Sequence, residues 1–248
     1  MAEDFVIEML HITKEFPGIK ANDDITLQLR KGEVHALLGE NGAGKSTIMK
    51  LMLGLIAGEG NISVCSLPVC KKNLAEVRRR IGFVLQDSDN QMFMPTVYED
   101  MIFGPLNYGM SREEADKRVD EVLAQLGLTE LKHRSNHRIS GGEKRMAAIA
   151  TILAMDPEVI LMDEPSTALD PVNRRAVINT VNSLPQTKLI ASHDLDMILD
   201  TCDRVILLSH GKIAADGDAG IILSDKALLE ANRMELPFSL QGWKGRHK

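Results

Sequence analysis

The segment 39–46, with sequence GENGAGKS, constrains the fold of this 248-residue chain more than any other feature. It matches the pattern G-x-x-x-x-G-K-[ST] in full. A short apolar stretch at 34–38 precedes it, and a stretch of helical character at 47–55 follows it. Glycines allow a turn tight enough for successive backbone N–H groups to point at phosphate oxygens. We therefore predict a phosphate-binding loop between a buried strand and a helix.

Every residue of this loop is a candidate contact for ATP. Lys45 would bring a flexible positive charge to the β- and γ-phosphates, and Ser46 would offer its hydroxyl to Mg²⁺. The helix that begins here directs the positive end of its dipole at the same anion. The predicted nucleotide contacts in this segment are Gly39, Glu40, Asn41, Gly42, Ala43, Gly44, Lys45, Ser46 and Thr47.

A second motif, Asp163 followed by Glu164, ends a buried apolar strand predicted at 159–162. Asp163 is the expected Mg²⁺ partner, either directly or through a water. Glu164 is the expected group to orient and deprotonate the attacking water. Acidic residues after a strand are common, so this motif gains its weight from the phosphate loop. Together the two motifs predict a P-loop NTPase.

A third motif, ISGGE at 139–143, narrows the prediction. Ser140, Gly141 and Gly142 stand at the start of a helix, where N–H groups face an anion, although one capping serine would suffice for a helix start alone. The segment resembles the LSGGQ signature of the ATP-binding-cassette (ABC) ATPases. The resemblance implies γ-phosphate contacts from Ser140 and Gly142. Glu143 replaces the usual glutamine and adds negative charge near the implied dimer interface.

Further motifs follow in the order of the same family, over residues 5–217. By this resemblance Gln86 is a sensor that touches Mg²⁺ and the attacking water, and His193 is the switch histidine that contacts the γ-phosphate. Asp170 belongs to a loop that crosses the dimer interface. Phe16 stands where the family places an aromatic ring against adenine. The structural alternatives are a surface amide for Gln86, a strand-end histidine for His193 and a core residue for Phe16.

The resemblance implies a composite active site with ATP and Mg²⁺. In the family, the signature of one subunit faces ATP held by the phosphate loop of another. The chain therefore needs a second ABC ATPase as partner, either another copy of itself or a close paralogue. The implied metal contacts are Ser46, Gln86 and Asp163, and the implied catalytic residues are Lys45, Glu164 and His193.

The alternation of strand and helix predicts an α/β fold. With the resemblance, this becomes a P-loop NTPase core with a parallel sheet, an N-terminal antiparallel β subdomain and a helical signature-motif subdomain, the ABC ATPase fold. Predicted strands lie at 5–12, 25–29, 34–38, 81–85, 159–162, 188–191 and 204–208. Predicted helices lie at 47–55, 111–126, 144–155 and 174–184, the second opening with a capping box of Ser111 and Glu114.

The expected nucleotide-binding domain covers residues 5–240 and has three parts, followed by a tail. The three parts are the core with its antiparallel β portion (5–98 and 156–217), the helical subdomain (99–155) and the C-terminal extension (218–240). The tail (241–248) is expected to be disordered.

Composition bounds the functional class. A net charge of −6 argues against a protein whose main partner is nucleic acid. Three cysteines without a C-x-x-C pair predict reduced thiols in a cytosolic protein. The acidic N-terminus does not fit a signal peptide, and no apolar run reaches the roughly 18–20 residues that span a bilayer. We expect a peripheral protein on the cytoplasmic face of the cell membrane.

Smaller features favour one branch of the family. Segments 89–91, 95–100 and 103–107 resemble the energy-coupling-factor ATPases, and segments 139–155 and 189–204 are most similar to their cobalt and nickel members. This implies an integral membrane coupling subunit and a separate substrate-specific membrane subunit. The cargo is chosen by that last subunit, so the solvated loop histidines His133, His137 and His210 are not expected to bind cobalt or nickel.

Other functions remain as alternatives. The chain could serve an energy-coupling-factor transporter of vitamins, or act as an ABC ATPase outside transport. A chromosome-maintenance head would need a long coiled coil, yet fewer than a hundred residues without sustained heptads separate Ser46 from Ser140. By family position, we expect the groove for the membrane partner around residues 86–98.

Overall fold

Two β-sheets organise the chain, and the computed structural model describes residues 4–242 of it. The strands are β1 (Phe5–Phe16), β2 (Ile19–Arg30), β3 (Val34–Leu38), β4 (Glu59–Val64), β5 (Leu67–Pro68), β6 (Ile81–Val84), β7 (Val159–Asp163), β8 (Thr187–Ala191), β9 (Arg204–Ser209) and β10 (Lys212–Asp218). The helices are α1 (Lys45–Met52), α2 (Leu74–Arg80), α3 (Val97–Asn107), α4 (Arg112–Gln125), α5 (Gly141–Leu153), α6 (Pro171–Ser183), α7 (Leu195–Thr201), α8 (Ala219–Ser224) and α9 (Lys226–Ala231).

The larger sheet positions the functional residues. Its strand order is β10-β9-β3-β8-β7-β6, with five parallel strands and an antiparallel edge strand, β10. The smaller sheet, β2-β1-β4-β5, is antiparallel. Carboxyl ends of parallel strands meet at one edge of a sheet, which is where ligands bind in such folds. The loops that follow β3, β7 and β8 therefore converge there.

The core lies on both faces of the large sheet. Along β3, Ala36 and Leu38 face one cluster of buried residues, whereas Leu37 faces the other. Strands buried on both faces carry continuous apolar runs. One cluster also holds the helical region α3–α5, and the other holds α1 and the antiparallel sheet. The parallel sheet is thus the layer between two clusters of buried apolar residues.

The predicted α/β class, with a parallel sheet, an antiparallel β portion and a helical region, is confirmed, with differences at the element ends. Helix α1 ends at Met52 rather than at residue 55, because the chain turns at Gly54 with φ +58°. Helix α6 begins at Pro171, earlier than the predicted 174. The Asp170 carboxylate caps it by accepting the N–H groups of Val172 and Asn173.

Several elements lie outside the predicted set. Strands β4, β5 and β10 are short or half-exposed, and β1 extends to Phe16. Helix α3 starts at Val97 behind a Thr96 and Glu99 capping box. Of the predicted disordered tail, residues 243–248 lie outside the described part of the chain. None of the helices between residues 4 and 242 combines the length and apolar composition that a membrane crossing requires.

Candidate functional site

Glycines shape the loop between β3 and α1. Gly39 has φ +143° and Gly44 has φ +105°, conformations that L side chains rarely adopt. A Cβ on Gly39 would collide with the Leu208 carbonyl oxygen, and one on Gly44 with the Ala21 carbonyl oxygen. The loop is therefore pressed against β9 and β2, and both glycines are required by the fold itself as well as by a bound phosphate.

Lys45 is folded back onto this loop. Its Nζ donates to the carbonyl oxygens of Gly39 (2.6 Å) and Glu40 (3.2 Å). Burial lowers the pKa of Lys45, and the carboxylates of Glu164, Asp163 and Glu40 act in the opposite direction. The ammonium can exchange these carbonyl oxygens for phosphate oxygens without leaving its place.

Ser46 and Asp163 bring oxygen ligands together. The Ser46 hydroxyl donates to Asp163 Oδ2 at 3.3 Å. Burial raises the pKa of Asp163, while the hydrogen bond from Ser46 lowers it. A hydroxyl beside a carboxylate is the donor set that hard cations such as Mg²⁺ prefer. The residues present therefore fit the implied metal ion.

Glu164 is buried, with 8% of its surface exposed, and its backbone has φ +49°. One oxygen, Oε2, accepts from Ser192 Oγ (3.3 Å), the His193 backbone N–H (3.2 Å) and Thr167 Oγ1 (3.2 Å). The other, Oε1, has no hydrogen-bond partner among residues 4–242. His193 Nε2 lies 3.5 Å from it and is bonded instead to Asn41 Oδ1 at 3.0 Å. One oxygen thus orients the carboxylate, and the other is left to receive a ligand.

These side chains surround a cavity of about 400 Å³. Ten predicted site residues line it: Asn41, Gly42, Gly44, Lys45, Ser46, Thr47, Gln86, Asp163, Glu164 and His193. Ala21 and Thr167 line it as well and were not predicted. Thr167 follows the acidic motif closely, so its position was a usable signal, whereas Ala21 reaches the cavity only through the tertiary placement of β2.

The remaining predicted contacts do not line this cavity, as far as residues 4–242 define it. Gly39, Glu40 and Ala43 form the back of the loop. Phe16 is 43% exposed at the end of β1, with Lys14 Nζ 4.9 Å from its ring centre. The signature residues and Asp170 also lie outside this cavity. Ser140, Gly141 and Asp170 are exposed, and Gly142 is buried.

Ser140 is the N-cap of α5. Its Oγ accepts from the Glu143 N–H at 3.2 Å, and Glu143 Oε2 accepts from the Ser140 N–H at 2.7 Å. Hydrogen bonds from the Ser140 backbone N–H and from the Ser140 side chain to the Glu143 carboxylate lower the pKa of Glu143. The unusual glutamate at position 143 therefore completes a capping box.

The signature and the Asp170 loop are packed together. A Cβ on Gly142 would collide with the Asn173 side chain on α6. Asn173 Nδ2 in turn donates to Asp170 Oδ2 at 2.5 Å. The start of α5 and the start of α6 therefore form one surface.

Arg145, which was not among the predicted site residues, holds the backbone at Gln86. Its Nη1 donates to the Leu85 carbonyl oxygen (2.6 Å) and its Nη2 to that of Gln86 (2.5 Å). The Gln86 side chain is exposed and lines the cavity. Arg145 ends the charged stretch at 143–145, before the apolar run of α5 begins, so the sequence alone did not distinguish it from its charged neighbours.

The model of the ABC transporter family matches residues 22–167. A cobalt import ATP-binding protein, CbiO, from Rhodobacter capsulatus is 41% identical over 233 residues, which cover 91% of this chain and 83% of that protein. An energy-coupling factor transporter ATP-binding protein, EcfA, from Carboxydothermus hydrogenoformans is 35% identical over 239 residues, covering 94% of this chain and 88% of that protein.

A solved structure is similar over nearly the whole chain. CbiO1 from Clostridium perfringens, part of the ABC transporter complex CbiONQ, superposes with a TM-score of 0.83 and 32% identity. The match covers 92% of this chain and 94% of CbiO1.

Proposed function

Since this chain belongs to the ABC transporter family, as an ATPase of the energy-coupling-factor type, we propose that it powers an importer of cobalt or nickel ions. It is an ATP-binding and ATP-hydrolysing subunit of a transporter. The cargo proposal is supported by the similarity of segments 139–155 and 189–204 to cobalt and nickel members and by the relative named for cobalt import. A vitamin transporter of the same type is the second candidate, since the relative EcfA is named for an energy-coupling factor transporter without a stated cargo.

The observation that carries the hydrolytic mechanism is the buried carboxylate of Glu164, a residue that lines the cavity and has one oriented oxygen and one oxygen without a hydrogen-bond partner among residues 4–242. We propose that Oε1 accepts a proton from the attacking water as that water approaches the γ-phosphate. His193, beside the same oxygen, would contact the γ-phosphate in place of Asn41.

The remaining groups position the phosphates. Lys45 would transfer its hydrogen bonds from loop carbonyls to phosphate oxygens. Ser46 and Asp163 would hold Mg²⁺, with Gln86 nearby, and the bound ion would neutralise developing negative charge. Catalysis of phosphoryl transfer is mainly such positioning and charge stabilisation.

A second ABC ATPase, identical or paralogous, would complete each site. Ser140 is exposed, and it does not line the cavity around Lys45 in its own chain. We propose that it faces the γ-phosphate held by the partner, with Gly141 and Gly142 beside it and Asp170 at the interface. Phe16 would then stack on adenine at the open side. ATP would close the pair and hydrolysis would release it.

We further propose a peripheral position on the cytoplasmic face of the membrane, bound to an integral coupling subunit and a substrate-specific subunit. The docking groove would lie around residues 86–98, at the end of the first core segment. In the proposed division, the core unit is formed by 5–98 and 156–217, the helical unit by 99–155 and the C-terminal extension by 218–240. Phe93, 63% exposed, supports this because its backbone N–H is fixed by buried Asp100. Charge reversals along 86–98 that left assembly intact would contradict the groove.

The decisive experiment measures steady-state ATPase activity and MgATP-dependent dimerisation of Glu164→Gln. We expect kcat to fall by about 10²- to 10⁴-fold, with a dimer trapped by MgATP. Glu158→Gln, just before the opposite end of β7 and paired with Arg80, serves as a matched control with unchanged turnover. Normal turnover of Glu164→Gln, or no ATP-dependent dimer where the wild type forms one, would contradict the mechanism.

The cargo is tested in cells or vesicles that contain the whole transporter. We expect uptake of radioactive cobalt or nickel to require this chain and to be lost with Lys45→Ala. Vitamin uptake with the same dependence, and no metal uptake, would replace the proposed cargo by the second candidate.

A further inference from the structure

We infer that Arg145 is a positioning residue that couples the two nucleotide sites of the ATPase pair, because it ties Gln86 to the helix whose first residues face the partner's nucleotide. This inference rests on the proposed function. The coupling element is α5 together with segment 85–91, which follows β6.

The contact is a fork on two consecutive carbonyl groups. The Arg145 guanidinium donates to Leu85 O and Gln86 O at 2.6 and 2.5 Å and is 4% exposed. No carboxylate among residues 4–242 is in ion-pair contact with it, and Asp87 acts on it only through a longer-range electrostatic attraction. A buried charge without an ion pair is costly, so the two carbonyl dipoles are the groups in contact that compensate it. Removing the guanidinium would leave both carbonyls without this donor.

A second side chain, which belongs to segment 85–91 itself, ties this segment to the same helix. Gln91 Oε1 accepts the Leu85 N–H at 3.0 Å, and Gln91 Nε2 donates to the Ala148 carbonyl oxygen at 2.7 Å and to Thr151 Oγ1 at 3.1 Å. Lys144, also on α5, forms an ion pair with Asp89. Three side-chain links thus join segment 85–91 to α5.

Pairing with the large sheet ends just before segment 85–91 begins. The last β6 residue paired with β7 is Val84, opposite Met162. Beyond Val84 the backbone bonds described above go to α5 and to the segment's own side chains. Gln86 therefore follows the position of α5 more closely than the position of the sheet that carries Asp163.

Helix α5 transmits a displacement as a rigid body. Ser140 and Arg145 are five residues apart on one helix, a rise of about 7.5 Å. Near the other end of α5, Ile152 packs so tightly on β6 that a Cβ on Gly82 would collide with it. With that end held, a pull on Ser140 by the partner's nucleotide moves Arg145, and with it Gln86 in this chain's own site. Reciprocity requires the two nucleotide sites to influence each other equally.

The test compares ATP dependence of hydrolysis for purified full-length wild type, Arg145→Met and Arg145→Lys. With two sites, the Hill coefficient has an upper limit of 2, and we expect Arg145→Met to lower it to about 1. Apparent ATP affinity should weaken by about 2- to 30-fold, the range for coupling residues. Lysine keeps a donor and a charge but not the fork, so it should restore part of the cooperativity.

Arg118→Met is the matched control. Arg118 donates to the Leu153 carbonyl oxygen at the far end of α5, so it anchors the helix without touching segment 85–91. It should leave the Hill coefficient unchanged. Thermal unfolding reports whether each variant is folded, and Gln91→Leu, which removes the second link alone, should lower cooperativity if Arg145→Met fails to fold.

The outcomes separate the two proposals. Wild type that dimerises and hydrolyses ATP cooperatively, with both link variants equally cooperative, overturns the inference and leaves the proposed function intact. A wild type that is active but hydrolyses ATP without cooperativity also overturns the inference and leaves the proposed function intact. Wild type that neither dimerises nor hydrolyses ATP overturns both.

Discussion

Asp163 and Glu164 are adjacent carboxylates whose surroundings give them different tasks. Asp163 is the last residue of β7, and the chain turns at Glu164, which has φ +49°. Asp163 accepts from the Ser46 hydroxyl, whereas Glu164 accepts from donors of the loop after β8. The φ of +49° at Glu164 is a conformation that costs about 1–2 kcal/mol for an L residue. The donors around Oε2 hold that conformation in place.

Neutralising Asp163 should stabilise the nucleotide-free protein while abolishing activity. Its pKa is raised by burial, so its charged form is disfavoured in the folded state at neutral pH. Asp163→Asn removes this cost, and we expect the free energy of unfolding to increase. The gain should be absent below the unfolded pKa of about 3.9 and should grow as pH rises through the folded pKa. Urea denaturation across pH measures it.

Asp89→Asn is the control of opposite sign. Lys144 lowers the pKa of Asp89, so the charged form is favoured in the folded protein. Its neutralisation should not stabilise the chain at any pH. A gain for Asp89→Asn equal to that for Asp163→Asn would show that net charge, rather than burial, is responsible.

Residues that belong to a recognisable sequence motif were predictable. A residue that acts by binding the backbone of another element, as Arg145 does, was not. The phosphate loop, Asp163, Glu164, Gln86 and His193 meet at one cavity, as the order of motifs implied. Arg145 holds the backbone of another element, and that relation exists only once α5 packs on β6.

At the scale of elements, β6 and α5 form the tightest contact described above. Gly82 has no side chain because Ile152 occupies its place, with Pro157 adjacent. The parallel strands were predictable because burial on both faces gives them apolar runs. The half-exposed β10 and the short β4–β5 pair carry no such run, so their pairing partners in the sheet decide that they are strands.

Gly82→Ala should destabilise the protein by about 1–3 kcal/mol, because the new methyl group displaces α5 from β6. Ile152→Ala opens the space that the methyl group needs. We therefore expect the double variant to be less destabilised than the sum of the single variants by about 0.5–3 kcal/mol. Chemical denaturation of all four proteins measures this. Strict additivity would contradict the contact.

At the scale of the whole molecule, the C-terminal extension returns to the active site. Arg233 pairs with Glu40 of the phosphate loop at 3.1 Å. The Asp196 carboxylate, three residues after His193, accepts the backbone N–H groups of Phe238 and Ser239 at 3.0 Å each. Burial alone would raise the pKa of Asp196, but the bonds from Ser239 and Phe238 outweigh it and lower the pKa.

Asp196→Ala should therefore release the extension while the core stays folded. Hydrogen bonds to a charged group contribute about 1.5–3 kcal/mol each, so exchange of the Phe238 and Ser239 amide hydrogens should accelerate by at least tenfold. Nuclear magnetic resonance measures both rates. Asp200→Ala, on the same helix but paired with Arg175, should leave them unchanged. Equal rates in the wild type and Asp196→Ala would mean that other contacts hold the extension.

The separation of Ser140 from its own chain's cavity has a genetic consequence if two copies of the chain pair. A Lys45→Ala allele damages the loop of its own subunit, and a Ser140→Ala allele damages the site built on its partner's loop. In a mixed pair both lesions fall in the same site, and the second site is wild type. Each allele alone leaves no intact site. The two should therefore complement each other in one cell, whereas Lys45→Ala and Glu164→Gln, which damage the same half, should not.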